Sequence, residues 1–213
     1  MSNIPTFDTE EQYWSQNIVV AGIDEAGMGA LAGPVVAGAV VFDCEKIQDT
    51  IHKIQDDGIA LRDSKTLSAK RREGSAEWIQ KNALAWAVGE ASVDDIVELN
   101  IRGASHLAMR RAIEGLNLRL DLILIDGTPA QPHPLIPATN IIKGDQISCS
   151  IAAASILAKV HRDHIMTTLD ATFPEYDFAS HKGYGSKKHM DTMKEIGVTA
   201  HHRKTYAPVA ALL

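Results

Sequence analysis

Cysteine is nearly absent: Cys44 and Cys149 stand 105 positions apart and share no motif. A disulfide framework is thereby excluded, and two buried or incidental thiols are expected. No run approaches the roughly 18 apolar residues that would cross a membrane. The longest apolar stretch, Leu31 to Phe42, is interrupted by Gly33, Pro34 and Gly38 and reads as buried strand. The first residues, MSNIPTFDTEEQYW, are acidic and lack the basic start and apolar block of a signal peptide, so a cytoplasmic protein is expected. Internal repeats, low-complexity tracts and obvious linkers are missing too. So are several catalytic signatures. There is no GxSxG of a serine hydrolase. There is no GK[ST] of a P-loop, and Gly27-Met28-Gly29 lacks the third glycine of a dinucleotide loop. No Cys/His pair has zinc-ligand spacing; His201 and His202 are adjacent and expected on the surface.

What remains is an ordinary globular composition. The chain has 213 residues, 45% of them hydrophobic and 23% charged, enough for one domain with a buried core. Net charge is −6, but unevenly spread. Residues 1–140 hold 12 Lys and Arg against 20 Asp and Glu, a balance of −8. Residues 141–213 hold 9 against 7, a balance of +2, and six of the nine histidines. An acidic body with a mildly basic C-terminal part permits a nucleic-acid partner; the same asymmetry also fits ordinary surface variation.

Hydrophobic periodicity orders the chain. Residues 1–16 form a loose arm or short helix. Ile18–Ile23 is a β-branched run that ends in a tight turn at Asp24-Glu25-Ala26-Gly27. Pro34–Phe42 and Leu84–Ala91 supply two more strands, with Pro34 at a strand start where proline is tolerated. Between them, Ser68 opens a helix to Asn82. Val93–Leu99 and Ala104–Leu118 read as helices. Leu122–Ile125 is a short strand; Thr128–Thr139, with four prolines, is a loop; Asn140–Ile142 is a last strand. Ile147–Leu169 is a long helix with a small-residue face, followed by an irregular stretch and a helix near Ser186–Ile196. The first three strands, closely connected, suit antiparallel pairing, and the later ones, separated by helices, suit parallel pairing. The expected class is α/β, a mixed sheet flanked by helices.

Three times an apolar strand stops at an acidic residue beside a glycine or a second acid: GIDEAG (Asp24, Glu25), LIDG (Asp126) and KGDQ (Asp145). Strand ends of one sheet gather in space, so these carboxylates can converge. Clustered carboxylates repel and persist with a compensating cation. Oxygen ligands suit Mg²⁺ or Mn²⁺. Two such ions roughly 3.5–4 Å apart clamp a scissile phosphate for attack by water. Asp-Gly after a strand is also a common turn signal, so each acid taken alone reads first as structural, and it is the three sites together that favour a shared role.

The motifs GIDEAGMGALAGPVVAGAVV, DSKTLSAKRRE, LILIDG, KGDQISCSIAAASILAKVHRD, HKGYGSKKH and HRKTYAPV together resemble ribonuclease HII, in that family's order from about Val19 to Val209. The resemblance implies an RNase H-like mixed five-stranded sheet with a helical C-terminal extension. It divides the chain into a catalytic core, 17–170, and a substrate-binding extension, 171–213, packed as one unit. It further implies an endonuclease that cuts the RNA strand of RNA–DNA hybrids and cuts 5′ of ribonucleotides embedded in duplex DNA. The products would carry 5′-phosphate and 3′-hydroxyl ends. No membrane is involved, and a monomer is expected.

Carried over motif by motif, Asp24, Glu25, Asp126 and Asp145 would be the catalytic acids and would hold two Mg²⁺ or Mn²⁺ ions. Tyr184 would read the RNA–DNA junction by stacking on a sugar. The turn Gly27-Met28-Gly29 would touch the 2′-hydroxyl, the group that separates RNA from DNA. Its central residue is usually arginine and the next is usually proline; here they are Met28 and Ala30. Methionine keeps the backbone and loses a guanidinium. Ser64, Lys65 and Lys143 would contact phosphate, with Lys182, Lys187 and Lys188 as further candidates. Asp163 reads as structural or as a support for the metal ligands, and His161 and His164 have no evident role. The alternatives are a ribonuclease HIII-like or other RNase H-fold nuclease, disfavoured by the short segment before the first strand, and a nucleic-acid-binding relative with reduced activity.

Overall fold

The computed structural model describes residues 4–128 and 130–213. Residues 1–3 of the expected arm and Pro129 of the proline-rich loop lie outside the described residues. Five strands form one sheet: β1 (Val20–Ala26), β2 (Val35–Val41), β3 (Ala85–Ala91), β4 (Leu122–Asp126) and β5 (Ala138–Ile141), in the order β3-β2-β1-β4-β5. β1–β2 and β2–β3 are antiparallel; β1–β4 and β4–β5 are parallel. The helices are α1 (Asp8–Trp14), α2 (Ile47–Asp56), α3 (Ala69–Asn82), α4 (Val93–Gly115), α5 (Cys149–Thr172), α6 (Phe178–His181), α7 (Lys187–Ile196) and α8 (Ala207–Ala210). The expected mixed sheet with flanking helices is the observed one. No helix among the described residues is long and apolar enough to cross a membrane.

Several boundaries differ from expectation. β1 does not stop before its acids: Asp24 pairs with Gly38 and Glu25 with Ala37, because the partner strand continues past them. β5 begins at Ala138 rather than Asn140, drawn into the sheet opposite Ile123. The two expected helices after β3 are one run, α4, broken in direction at Asn100 (φ 56°), whose side chain accepts from the amides of Arg102 and Gly103 and restarts the helix. α2 was not expected, although Ile47, Ile51 and Ile54 repeat at helical spacing and pack toward Phe42 and Leu61. Four helices begin at serine caps, Ser68, Ser92, Ser148 and Ser186. Each serine oxygen takes up an otherwise unpaired amide of the first turn.

The sheet is apolar on both faces because both are covered. Ala21, Ile23, Ala37 and Ala39 face Ala104, Ala108 and Ala112 of α4. The alternate positions Val40 and Phe42 pack with Ala153, Ala154 and Leu157 of α5 and with Trp78 and Ile79 of α3. The first half of α5 lies almost on the strands. A Cβ at Gly22 would stand 2.2 Å from the carbonyl carbon of Ser150, so only glycine admits this approach. A third cluster joins Leu31, Ala32 and Met166 to Tyr176, Phe178, Met193 and Val209, so the C-terminal helices share a core with the loop after β1 and with α5.

Candidate active site

Strand pleating sends the two acids of β1 in different directions. Asp24 follows Gly22 on the face of α5, where Ser155 lines the same cleft. Ser155 in turn meets Ser64 Oγ at 3.1 Å. Glu25 follows Ile23 toward the side of α4 and borders a second cleft that also contains Asp126, Met28, Arg102 and His106. Asp126 ends β4, and its Oδ1 accepts the amide of Gly144 at 2.6 Å. That bond draws in the turn Gly144–Gln146 that carries Asp145.

These four carboxylates act on one another. Burial pushes Asp24 well above the usual carboxylate range, and the charges of Glu25 and Asp126 push it further. Glu25 rises to about 7, again through burial first and Asp126 second. Asp145 rises to about 6 through burial, Asp126 and Asp63. The positive charge of Lys65 opposes the rise at both Glu25 and Asp145. The donor set is therefore all carboxylate oxygen and carries more negative charge than the two lysines that line the cleft, Lys65 and Lys159, offset. That chemistry fits a hard divalent cation. The side chains are not drawn into a cage: among the described residues, no three His, Cys, Asp or Glu group tightly enough to enclose an ion.

A cleft of about 430 Å³ runs over Asp24 and Glu25. Gly27, Met28, Gly29, Ser64, Lys65 and Tyr184 line it, so the structure brings these expected residues together with two of the acids. Gly27 has φ 98°, and the Arg162 side chain occupies the space a Cβ would need. The Met28 carbonyl already accepts from Arg203 (2.9 Å) and from the Tyr206 hydroxyl (2.7 Å). The Met28 side chain leans on the core beneath α4. Ser64 is buried against Ser155, a bond that ties its turn to α5. Lys143 is exposed and does not line either cleft at the acids. Lys182 turns to Thr167 (2.8 Å), while Lys187 and Lys188 pair with Asp191 and Asp177. Asp163 pairs with Lys159 at 2.6 Å and faces Arg72 at 4.0 Å, the structural role read for it. His161 meets Glu90, and His164 lies 3.9 Å from Glu73.

A family model described as Ribonuclease HII matches residues 21–209. The chain belongs to the ribonuclease HII family. It is 48% identical over 194 residues to the ribonuclease HII of Caulobacter vibrioides, covering 91% of this chain and 87% of that one. Among solved structures it is similar to the ribonuclease H2 of Pyrococcus horikoshii OT3, with a TM-score of 0.74 and 23% identity over 92% of this chain and 97% of that one. It also shares its fold with Bst-RNase HIII in complex with Mn²⁺, with a TM-score of 0.67 and 17% identity over 91% and 68% of the two chains. Ribonuclease HII enzymes are metal-dependent endonucleases of the ribonuclease H class, and this chain is one.

Several residues of the site escaped the sequence reading. Lys159 lines the cleft and stands 5.7 Å from the centre of the Tyr184 ring. Arg162 and Arg203 are fully buried without a carboxylate partner among the described residues. Arg162 donates to the carbonyls of Ala32, Pro34 and Lys182, and Arg203 to those of Met28, Gly33 and Pro34. Two guanidinium forks thus hold the segment that follows β1. His202, expected on the surface, is fully buried, because its ring packs between Tyr176, Phe178 and His189; its neighbour His201 is exposed.

Proposed function

We propose that the chain hydrolyses the RNA strand of RNA–DNA hybrids and cuts 5′ of single ribonucleotides in duplex DNA, with Asp24, Glu25, Asp126 and Asp145 as the metal-holding acids. The observation that carries the reading is the mutual elevation of three of these carboxylates around Asp126, next to a cleft that ends at Tyr184. Bound Mg²⁺ or Mn²⁺, two ions with substrate present, supplies water activation and charge neutralisation at the departing 3′ oxygen. Mn²⁺ in the related Bst-RNase HIII supports that class of ion.

The chain's own residues do the rest. Asp24, Glu25, Asp126 and Asp145 bind and space the cations. The amides of Glu25 and Gly144 hold Asp24 and Asp126 in place. Lys65, which lines the cleft, meets phosphate, as does the exposed Lys143. The polar backbone of Gly27-Met28-Gly29 reads the ribose 2′-hydroxyl; since the Met28 carbonyl is already engaged, the remaining atoms of the turn take that contact. The Tyr184 ring, backed by Arg162 and Lys159, stacks on the sugar at the junction. Residues 17–170 act as the catalytic core and 171–213 as the substrate-binding extension of one monomeric, cytoplasmic protein.

The test is a parallel assay on three duplexes: all-DNA, a long hybrid and DNA with one ribonucleotide, each with Mg²⁺, Mn²⁺ or chelator. Metal-dependent cutting of the last two, leaving 5′-phosphate and 3′-hydroxyl ends, is expected. Equal cutting of the all-DNA duplex, or cutting that survives chelation, overturns the reading.

A further inference from the structure

Behind the Tyr184 loop lie three histidine rings that the chemistry above does not use. His189 and His202 are fully buried. His181 stacks on His189 with centroids 4.3 Å apart and planes 13° from parallel. Their hydrogen bonds run in sequence. The Thr199 amide lies 2.9 Å from His202 Nδ1. His202 Nε2 lies 3.0 Å from His189 Nε2. His189 Nδ1 lies 2.9 Å from the Tyr184 carbonyl.

Both ends of this chain have fixed roles. A backbone amide only donates, so His202 Nδ1 is the acceptor and carries no proton. A carbonyl only accepts, so His189 Nδ1 must carry one. Between them, His202 Nε2–H donates to His189 Nε2. The two ends assign the same tautomers independently. Four ring nitrogens hold two protons, and both rings are neutral. A third proton would set N–H against N–H in a dry interior. Burial accordingly holds both imidazoles below the ordinary range, His202 at about 4. The ionisable groups around the pair are His181, His201 and Tyr176, and none of them is a carboxylate.

The loop is gripped on either side of its tyrosine. The Gly183 amide donates to His181 Nδ1 at 3.2 Å, and the other nitrogen of that ring meets the Tyr176 carbonyl at 2.7 Å. The Tyr184 carbonyl accepts from His189 Nδ1 and from the Ser186 amide. The stacked rings therefore hold the peptide group between Lys182 and Gly183 and the one between Tyr184 and Gly185, and so restrain the loop on both sides of the tyrosine.

We propose that His189 and His202 are positioning residues for Tyr184: a one-directional hydrogen-bond chain through two neutral imidazoles fixes its carbonyl and so sets its ring over the cleft. This rests on the reading of Tyr184 as the junction-contacting residue. It places the determinant of junction preference partly in residues that touch no substrate.

The decisive comparison uses the full chain with His189→Phe, which keeps a ring without a donor, and His189→Asn, whose amide can donate near the former Nδ1–H. The readout is the ratio of kcat/KM on a single-ribonucleotide duplex to that on a long hybrid, calibrated by Tyr184→Ala. His189→Phe should lower the ratio roughly tenfold or more, as expected for a misplaced contact group. His189→Asn should recover most of it, and adding His189→Phe to Tyr184→Ala should cost little more. A folded His189→Phe with the natural ratio, or losses that multiply in the double variant, overturns the proposal. Nitrogen NMR of the unmodified protein tests the chain without reference to activity or to variant folding. His202 protonated at Nε2 and His189 at Nδ1 support it, and any other pair of tautomers overturns it. If Tyr184→Ala leaves the ratio unchanged while these tautomers are found, the Tyr184 reading fails and the hydrogen-bond chain stands as loop structure alone.

Discussion

The amide of Gly144 donates to Oδ1 of Asp126 at 2.6 Å, and so couples the last residue of β4 to the turn that presents Asp145. Through this bond one acid positions the backbone of another while repelling its charge. Asparagine at 126 retains the accepting oxygen and removes the charge that raises Asp24, Glu25 and Asp145. Asp126→Asn should therefore leave the metal-free protein as stable as the natural chain or more so. Thermal melts in chelator at pH 8 check this, and a marked loss of stability counts against the repulsion.

The raised carboxylates set the sign of the pH response. Glu25 titrates at about 7 and Asp145 at about 6 in the folded chain. An acid raised by folding contributes stability below its unfolded value, and that contribution is lost as pH rises through the folded one. The metal-free protein should lose stability from this source between about pH 4 and 7. A cation needs the deprotonated form, so its affinity should rise over the upper part of the same window. Calorimetric titration with Mg²⁺ at pH 6 and pH 8 should show tighter binding and less proton release at pH 8.

Gly22→Ala tests the contact between sheet and helix. The new methyl would meet the Ser150 carbonyl carbon at 2.2 Å, so α5 must move away from β1. Overpacking of this kind costs about 1–3 kcal/mol or more. Because Ser155 on the same helix lines the cleft beside Asp24, activity should fall beyond what the loss of folded protein explains. Urea unfolding and specific activity, measured on the same preparation, separate the two effects.

Arg162→Lys tests the pinning of the loop after β1. A lysine offers one point charge where three carbonyls in different directions need donors. Orphaned buried acceptors cost about 1–3 kcal/mol each when no water reaches them. A drop in the unfolding midpoint and faster amide exchange at residues 28–33 are expected. Unchanged exchange there would show that the fork does not hold the loop.

Met28 stands in the turn after β1, where the resemblance to ribonuclease HII implies an arginine. Its side chain rests on the α4 core beside Glu25 and Asp126. Met28→Arg should tighten binding to ribonucleotide-containing duplex, mainly at low salt, and steepen the salt dependence by about one unit of slope if one phosphate is reached. Binding isotherms in Ca²⁺ at several salt concentrations give both quantities. Equal slopes for the two proteins would show that a guanidinium here does not reach phosphate.

The sheet was legible because β-branched runs such as Val35–Val41 announce themselves locally, and so were the acids at the strand ends. Their exact place was not: Asp24 and Glu25 looked like turn residues because the pairing that keeps them in β1 comes from β2. Ser155, Arg162, Arg203 and His202 escaped for a common reason. Each acts through a contact far along the chain, and no spacing in the sequence encodes a guanidinium reaching a distant carbonyl or a ring closing a hydrogen-bond chain. His202 shows this best, since its exposed neighbour His201 has the same side chain.

Turnover of Asp126→Asn on duplex DNA with one ribonucleotide, at saturating Mg²⁺ and with folding confirmed, tests the four-carboxylate centre most directly. The account predicts loss of nearly all cleavage while the duplex is still bound. Near-normal turnover would contradict it.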